Sequence, residues 1–298
     1  MEAETRYEYR QFPLERAGVA LHLDRLRLRG IEPRRNILLA HGVTYSSHEF
    51  DIDYKDYSLV RRLAREGYAV WRLDVAGYGG SGAVEDGFLP DSDYAAEDLH
   101  AAAALILRES GAGTIDLLGW SWGTVVSGRF AARHPEHLRR LVLYAPILTG
   151  VGRAEITEPF HRNSSKHAAE DFQKRADGGF NLDAAESEVI ERFCDSCLRH
   201  DGEQSPNGGR RDICVEWERD LIPLEEITAP TLVICGDRDP YLNYARLSDS
   251  LYRLPEGSAL SVIPGGAHML MLEAPYYRAF QDRVVSFLLG TQDGGSDR

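Results

Sequence analysis

The sequence has no long apolar run. The longest, Ala101–Leu107, is far too short to cross a bilayer, so no membrane-spanning helix is expected. The N-terminal residues Met1–Gln11 are polar and charged and lack the apolar core of a signal peptide. Only four cysteines occur in 298 residues, too few for a disulfide framework at this length. A reducing cytoplasm is therefore the expected location. Basic residues are in deficit, 34 Lys and Arg against 47 Asp and Glu, for a net charge of −13. Such a field repels phosphate backbones and anionic lipid. Nucleic acid and membrane surfaces are thus excluded as expected partners, and a homodimer stays open. No internal repeat is found.

What is present is ordinary globular material, 43% hydrophobic and 27% charged, in a chain long enough to bury its own core. Arg6–Phe12 and Val19–Leu28 alternate apolar and polar residues, as half-buried antiparallel strands do. Beyond Asn36, short apolar runs alternate with helical patterns. The runs are Ile37–Ala40, Ala69–Asp74, Thr114–Leu118, Leu141–Ala145, Thr231–Cys235 and Ala259–Ile263. The helical patterns cover Ser58–Glu66, Tyr94–Glu109, Thr124–His134, Tyr244–Arg253 and Pro275–Leu289. This rhythm predicts an α/β fold, a mostly parallel sheet buried between two layers of helices. The rhythm fails between Ala145 and Thr231. Within that stretch Ala184–His200 has helical spacing and Ser205–Arg211 reads as a loop. A structureless loop of the whole length is improbable in a compact domain, so residues 149–220 are expected to form a helical cap insertion. Residues 1–148 and 221–289 would then be the core, and residues 290–298 a disordered tail.

One stretch carries chemistry. Ile115–Leu118 runs directly into Gly119-Trp120-Ser121-Trp122-Gly123, and a helical pattern follows at once. So sharp a strand-to-helix turn strains the backbone at the serine and leaves no room for side chains at the flanking glycines. The turn lifts the Ser121 hydroxyl to the carboxyl end of the sheet, where α/β folds bind ligands. It also aims the Trp122 amide and the helix N-terminus at a developing oxyanion.

With these residues the chain resembles the α/β-hydrolase superfamily over nearly its whole length except the insertion. Gly119–Gly123 is similar to that family's nucleophile elbow, and Ala40-His41-Gly42-Val43 to its histidine–glycine turn. Leu73–Ser81 is similar to the loop after its next strand. The resemblance implies an eight-stranded, mostly parallel sheet and a Ser…Asp…His order of catalytic residues. It implies the Val43 amide as a second oxyanion donor beside that of Trp122. It points to His268, in the loop after Ala259–Ile263, as general base, since an imidazole suits that task near neutral pH. The pattern Gly236-Asp237-Arg238-Asp239 points to Asp239 as the orienting acid, with Asp237 as a hydrogen-bonding neighbour. His41 is expected to brace its loop, and His48 is not assigned. The aspartate nucleophile of haloalkane dehalogenases and epoxide hydrolases is absent, so those activities are not expected.

Substrate contacts are less legible. Thr44, Tyr45, Phe160, Trp217 and Met269 are the candidates, with the aromatic residues of the insertion serving either as a roof or as its own small core. Cys194-x-x-Cys197-x-x-His200 lacks a second pair to complete a zinc site, and neither a metal nor a cofactor is expected. The expected activity is hydrolysis of an ester, thioester or amide of a small to medium organic substrate through an acyl-enzyme. An acyl-transferring thioesterase or cyclase and a proline-iminopeptidase-like peptidase are the alternatives. For the peptidase, Glu155, Glu158 or Glu218 would hold the amine. A non-turnover ligand receptor and a cofactor-free oxygenase belong to other classes.

Overall fold

Strands β1 (Tyr7–Arg16) and β2 (Val19–Leu28) pair antiparallel in unbroken register from Tyr7↔Leu28 to Arg16↔Val19. The structure, a computed structural model, describes residues 6–290. The alternating rhythm then builds β3 (Arg35–Ala40), α1 (Leu59–Arg65), β4 (Tyr68–Asp74), α2 (Ser92–Ser110) and β5 (Ile115–Trp120). These are followed by α3 (Trp122–Arg133) and β6 (Leu138–Tyr144). Past residues 149–220 come β9 (Thr231–Gly236), α7 (Tyr244–Arg253), β10 (Ala259–Ile263) and α8 (Tyr277–Leu289). The eight strands order as β1-β2-β4-β3-β5-β6-β9-β10, and only β2 runs against the rest.

Hydrophobic burial on both faces holds this sheet. On one face Leu99 and Ala102 of α2, Val125 and Phe130 of α3 and Leu247 of α7 pack onto Leu38, Leu117 and Val233. On the other, Leu59 and Leu63 of α1 and Phe280 and Val284 of α8 cover Ile37, Leu118 and Ile234. β4 is buried along its whole length although it contains Arg72, because Asp24 on β2 meets that guanidinium at 2.9 Å. The expectation of a fully buried strand at Ala259–Ile263 is corrected: β10 is the sheet's edge, and Val262 is 39% exposed. Gly290 ends α8 at φ +74°. The rest of the expected tail, 291–298, lies outside the described residues.

The segment 149–220 is not simply helical. It contains α4 (Ser165–Ala168), α5 (Ser187–Asp201) and α6 (Gly208–Ile213), plus two short strands, β7 (Phe160–Arg162) and β8 (Gln204–Pro206), paired antiparallel. α5 matches the helical spacing of Ala184–His200. Ser205–Arg211, expected to be a loop, instead completes β8 and opens α6. Its two glycines conceal a helix that packs unusually close. A Cβ on Gly208 would lie 2.6 Å from the Pro90 carbonyl oxygen, and one on Gly209 would lie 2.5 Å from the Trp122 indole. A bridge between Thr149 and Asp220 joins the two ends of the segment.

The connections that carry the candidate site residues leave the sheet at one end. His41–Val43 follows β3, Ser121 follows β5, Asp239 follows β9 and His268 follows β10.

Candidate active site

Ser121 sits between β5 and α3 at φ 54°, ψ −123°, a conformation that costs a non-glycine residue of order 1–3 kcal/mol. The surroundings over-determine it. The Ser121 amide donates to the Tyr144 carbonyl at 3.0 Å, and its own carbonyl accepts from the Thr124 amide at 2.9 Å and the Thr124 hydroxyl at 2.5 Å. The flanking glycines are steric requirements. A Cβ on Gly119 would lie 2.3 Å from the Gly123 carbonyl oxygen, and one on Gly123 would lie 2.3 Å from that of Ala40.

The turn after β3 is braced from several sides. His41 donates from Nδ1 to the Gly42 carbonyl at 2.8 Å and accepts the Val75 amide on Nε2 at 3.1 Å. Burial holds its pKa below the usual imidazole value, so the ring is neutral and structural. The buried Glu49 carboxyl accepts the Gly42 amide at 2.8 Å, and burial pushes its pKa well above the usual range. Among the described residues neither the Val43 amide nor the Trp122 amide has an acceptor, and Trp122 stands in the first turn of α3. Two free donors therefore flank the elbow, one of them at the positive end of a helix.

His268 and Asp239 come together as the sequence leads one to expect: Nδ1 lies 2.8 Å from Asp239 Oδ2, both side chains 2% exposed. The second Asp239 oxygen accepts the Tyr241 amide at 3.0 Å. Asp237 instead accepts the Gly265 amide at 2.7 Å and supports the histidine loop. The Trp120 indole and the Tyr144 hydroxyl hold the His268 carbonyl at 3.3 and 3.0 Å, and the Tyr241 ring meets the imidazole edge-on at 4.8 Å. Burial disfavours the imidazolium, but Asp239, with Asp171 and Glu273 beyond it, outweighs this and leaves the His268 pKa above its ordinary value. Glu273 accepts the Ala267 amide at 2.9 Å, and burial lifts its own pKa to about 7. Among the described residues no hydrogen bond joins the Ser121 hydroxyl to the imidazole. Such bonds commonly tighten only when substrate closes the site.

Ser121 and His268 share the wall of a cavity of about 230 Å³, together with Val43, Thr44 and Tyr45. Three expected substrate contacts lie elsewhere. Phe160 is on β7 and packs towards Gly87, Trp217 is 37% exposed on the surface, and Met269 is buried in the sheet's core. The Trp122 indole does not wall the cavity either, being buried under α6 with its Nε1 2.9 Å from Ser92 Oγ. Phe172, Phe180 and Phe193 form an aromatic knot with one another, continuous with the core, and not a roof. Glu155, Glu158 and Glu218 are exposed and away from the cavity.

Side chains that the sequence did not single out also line it, among them Arg210, Asp171, Glu170, Tyr241, His161 and His167. Asp171 takes a hydrogen bond from the Tyr241 hydroxyl at 3.3 Å, and burial raises its pKa. Arg210 enters from α6. Its guanidinium donates to Thr44 Oγ1 at 2.6 Å and Asn207 Oδ1 at 3.2 Å. Burial raises the cost of that charge and holds the arginine pKa below its usual value. His48 belongs to a separate cluster, between Asp201 at 2.6 Å and Ser196 at 2.9 Å, stacked on His200. On α2 and at the end of α3, Glu97, His100 and His134 bring potential metal-ligand atoms within 4.8 Å of one another.

A family model described as serine aminopeptidase, S33, matches residues 31–275. A pimeloyl-[acyl-carrier protein] methyl ester esterase of Neisseria meningitidis is 27% identical, over 84% of this chain and 94% of its own length. A Synechocystis protein provisionally named a non-heme chloroperoxidase is 26% identical, over 78% of this chain and 84% of its own. The crystal structure of a bromoperoxidase from Bacillus anthracis aligns with a TM-score of 0.68 at 18% identity, over 95% of this chain and all of that one.

Proposed function

The chain belongs to the α/β-hydrolase family whose model is described as serine aminopeptidase, S33, and from that premise we propose that it is a serine esterase using Ser121, His268 and Asp239. His268 Nε2 takes the Ser121 proton as Oγ attacks the ester carbonyl, and Asp239 stabilises the imidazolium. The oxyanion is received by the Val43 and Trp122 amides, each donor worth about 10²–10³ in rate. The imidazolium returns its proton to the departing alcohol, leaving an acyl-serine. Water, deprotonated by the same imidazole, then releases the acid and restores the hydroxyl.

The observation that carries this reading is the 2.8 Å contact from His268 Nδ1 to Asp239 Oδ2. It fixes the tautomer that leaves Nε2 unprotonated, and His268 lines the cavity together with the strained Ser121. The segment 149–220 acts as the cap of that cavity, an assignment supported by Arg210, Asp171 and His161 in its lining. An ester is favoured over an amide because relatives named as esterases accompany the family match. A cytoplasmic location and a homodimer belong to the same proposal. The first is supported by four free cysteines, and no helix among the described residues is long and apolar enough to cross a membrane. Sedimentation at micromolar concentration tests the second.

A fluorophosphonate probe and a panel of p-nitrophenyl esters and aminoacyl amides test the mechanism. The expected result is stoichiometric labelling of Ser121, lost in His268→Ala, with steady turnover of esters. Labelling at another residue overturns it. Turnover surviving Ser121→Ala would point to the cofactor-free oxygenase, labelling without turnover to a receptor, and bromide- and peroxide-dependent halogenation to the haloperoxidase names among the relatives.

A further inference from the structure

Among the described residues, several shielded arginines of this acidic protein face carboxylates: Arg72 meets Asp24 at 2.9 Å, Arg139 meets Asp116 at 2.5 Å, and Arg16 meets Asp98 at 2.5 Å. Arg210 departs from this pattern. Its partners are neutral, Thr44 Oγ1 and Asn207 Oδ1, and no described carboxylate lies within ion-pairing distance, although the chain carries 47 acidic residues. A guanidinium drawn out of water without a counter-charge is costly to keep. Its position is nevertheless enforced. Gly208 and Gly209 let α6 settle onto Pro90 and Trp122 where any side chain would collide, and this presses the next residue into the cavity. The donors left over point to a ligand that supplies the missing charge.

We propose that Arg210 anchors a free carboxylate of the substrate, so that the preferred esters are monoesters of small dicarboxylic acids, held by one carboxylate while the ester carbonyl lies at Ser121. The proposal rests on the serine-hydrolase reading. A guanidinium fork matches a carboxylate in geometry, and Thr44 pre-orients one arm of it. The remaining walls select against a doubly charged group such as phosphate, since Asp171, Glu170 and Glu49 also line the cavity. Burial raises the pKa of both Asp171 and Glu49, which eases their presence beside one monoanion. His161 is lowered to about 4 by burial and by Arg210 itself, so it adds no second cation. The cavity of about 230 Å³ suits an acyl chain of a few carbons.

The test compares kcat/KM for monomethyl and dimethyl succinate, glutarate and adipate in the wild type, Arg210→Gln and Arg210→Lys. The wild type is expected to favour the monoanion of at least one acid, chiefly through KM. The monoester-to-diester ratio should fall about 10- to 100-fold in Arg210→Gln, the usual worth of a charged hydrogen bond, and recover in part in Arg210→Lys. A merely structural arginine would lower both rates together, and a ratio unchanged by Arg210→Gln across all three acids overturns the proposal. Free glutarate and its two homologues give a second readout that needs no turnover. One of them should protect Ser121 from the fluorophosphonate in the wild type and not in Arg210→Gln. Equal protection in both also overturns it. A wild type unlabelled at Ser121 sinks the hydrolase reading itself; labelling with an unchanged ratio sinks this proposal alone.

Discussion

Replacing Gly123 by alanine should damage catalysis far more than its single methyl group suggests. The added Cβ would stand 2.3 Å from the Ala40 carbonyl oxygen and 2.6 Å from that of His41. Both are backbone atoms at the exit of β3, so no side chain can rotate away. Ordinary contact begins near 3.4 Å, so α3 and the His41–Val43 turn must part by about 1 Å. Overpacking of this kind costs about 1–3 kcal/mol in stability, a fall of a few degrees in Tm for a chain of this size. The two amides proposed to hold the oxyanion sit on either side of that contact, Val43 on the turn and Trp122 on the helix. Parting them removes one donor from the transition state, and kcat should drop about 10²–10³-fold. The assay is kcat on a p-nitrophenyl ester alongside thermal melting. Gly111→Ala is the control: its Cβ would meet nothing within 4 Å, though it too sits at positive φ, +67°, so it should cost about 1 kcal/mol of stability and leave kcat alone. If Gly123→Ala keeps wild-type kcat, the steric argument for how the two loops are registered is wrong.

Three further outcomes concern His268 and the carboxylates around it. Asp239→Asn should lower kcat about 10³–10⁴-fold by releasing the His268 tautomer. Because Asp239 holds the His268 pKa above its ordinary value, kcat/KM should rise with pH through a midpoint above 6.5 in the wild type, and the midpoint should move down in Asp239→Asn, where burial prevails. Identical pH–rate midpoints in the two proteins would contradict this. Glu273 titrates near 7 when folded against 4.5 in the free side chain, so between these values the unfolded chain has shed a proton that the folded one retains. Stability must therefore decline as pH rises through that window, by at most about 3 kcal/mol from this group. Urea unfolding of Glu273→Gln at pH 5 and pH 8 should show a shallower decline than the wild type, and parallel slopes would refute the assignment.

The sheet was readable because each strand announces itself locally. A run such as Ile37–Ala40 is apolar on both faces, and the glycines around Ser121 mark a turn that tolerates nothing else. The pairing of Asp239 with His268 was readable through motif and order, although 29 residues separate them, because each follows a strand whose exit is predictable. The polar lining of the cavity was not readable. Arg210 follows two glycines in a stretch with no periodicity, and Asp171 lies in a turn-rich region; their meeting with Thr44 and Tyr241 depends on tertiary packing at separations of 166 and 70 residues. Phe160, Trp217 and Met269 misled for the opposite reason. Large apolar side chains near a site are as readily spent on packing, and Met269 lies on the core side of the loop that presents His268. Val262 shows the same limit at a strand, since alternation does not reveal which strand closes the sheet.

The bridge between Thr149 and Asp220 has a consequence for how this protein can change. Exit and re-entry are adjacent, so the excursion between them could be lengthened, shortened or exchanged without altering the paths of the neighbouring strands. On the proposed reading of this excursion as the cap, grafting excursions from distant homologues at these two positions should vary ligand preference while the reaction chemistry stays constant, a modularity open to natural drift and to a laboratory library alike.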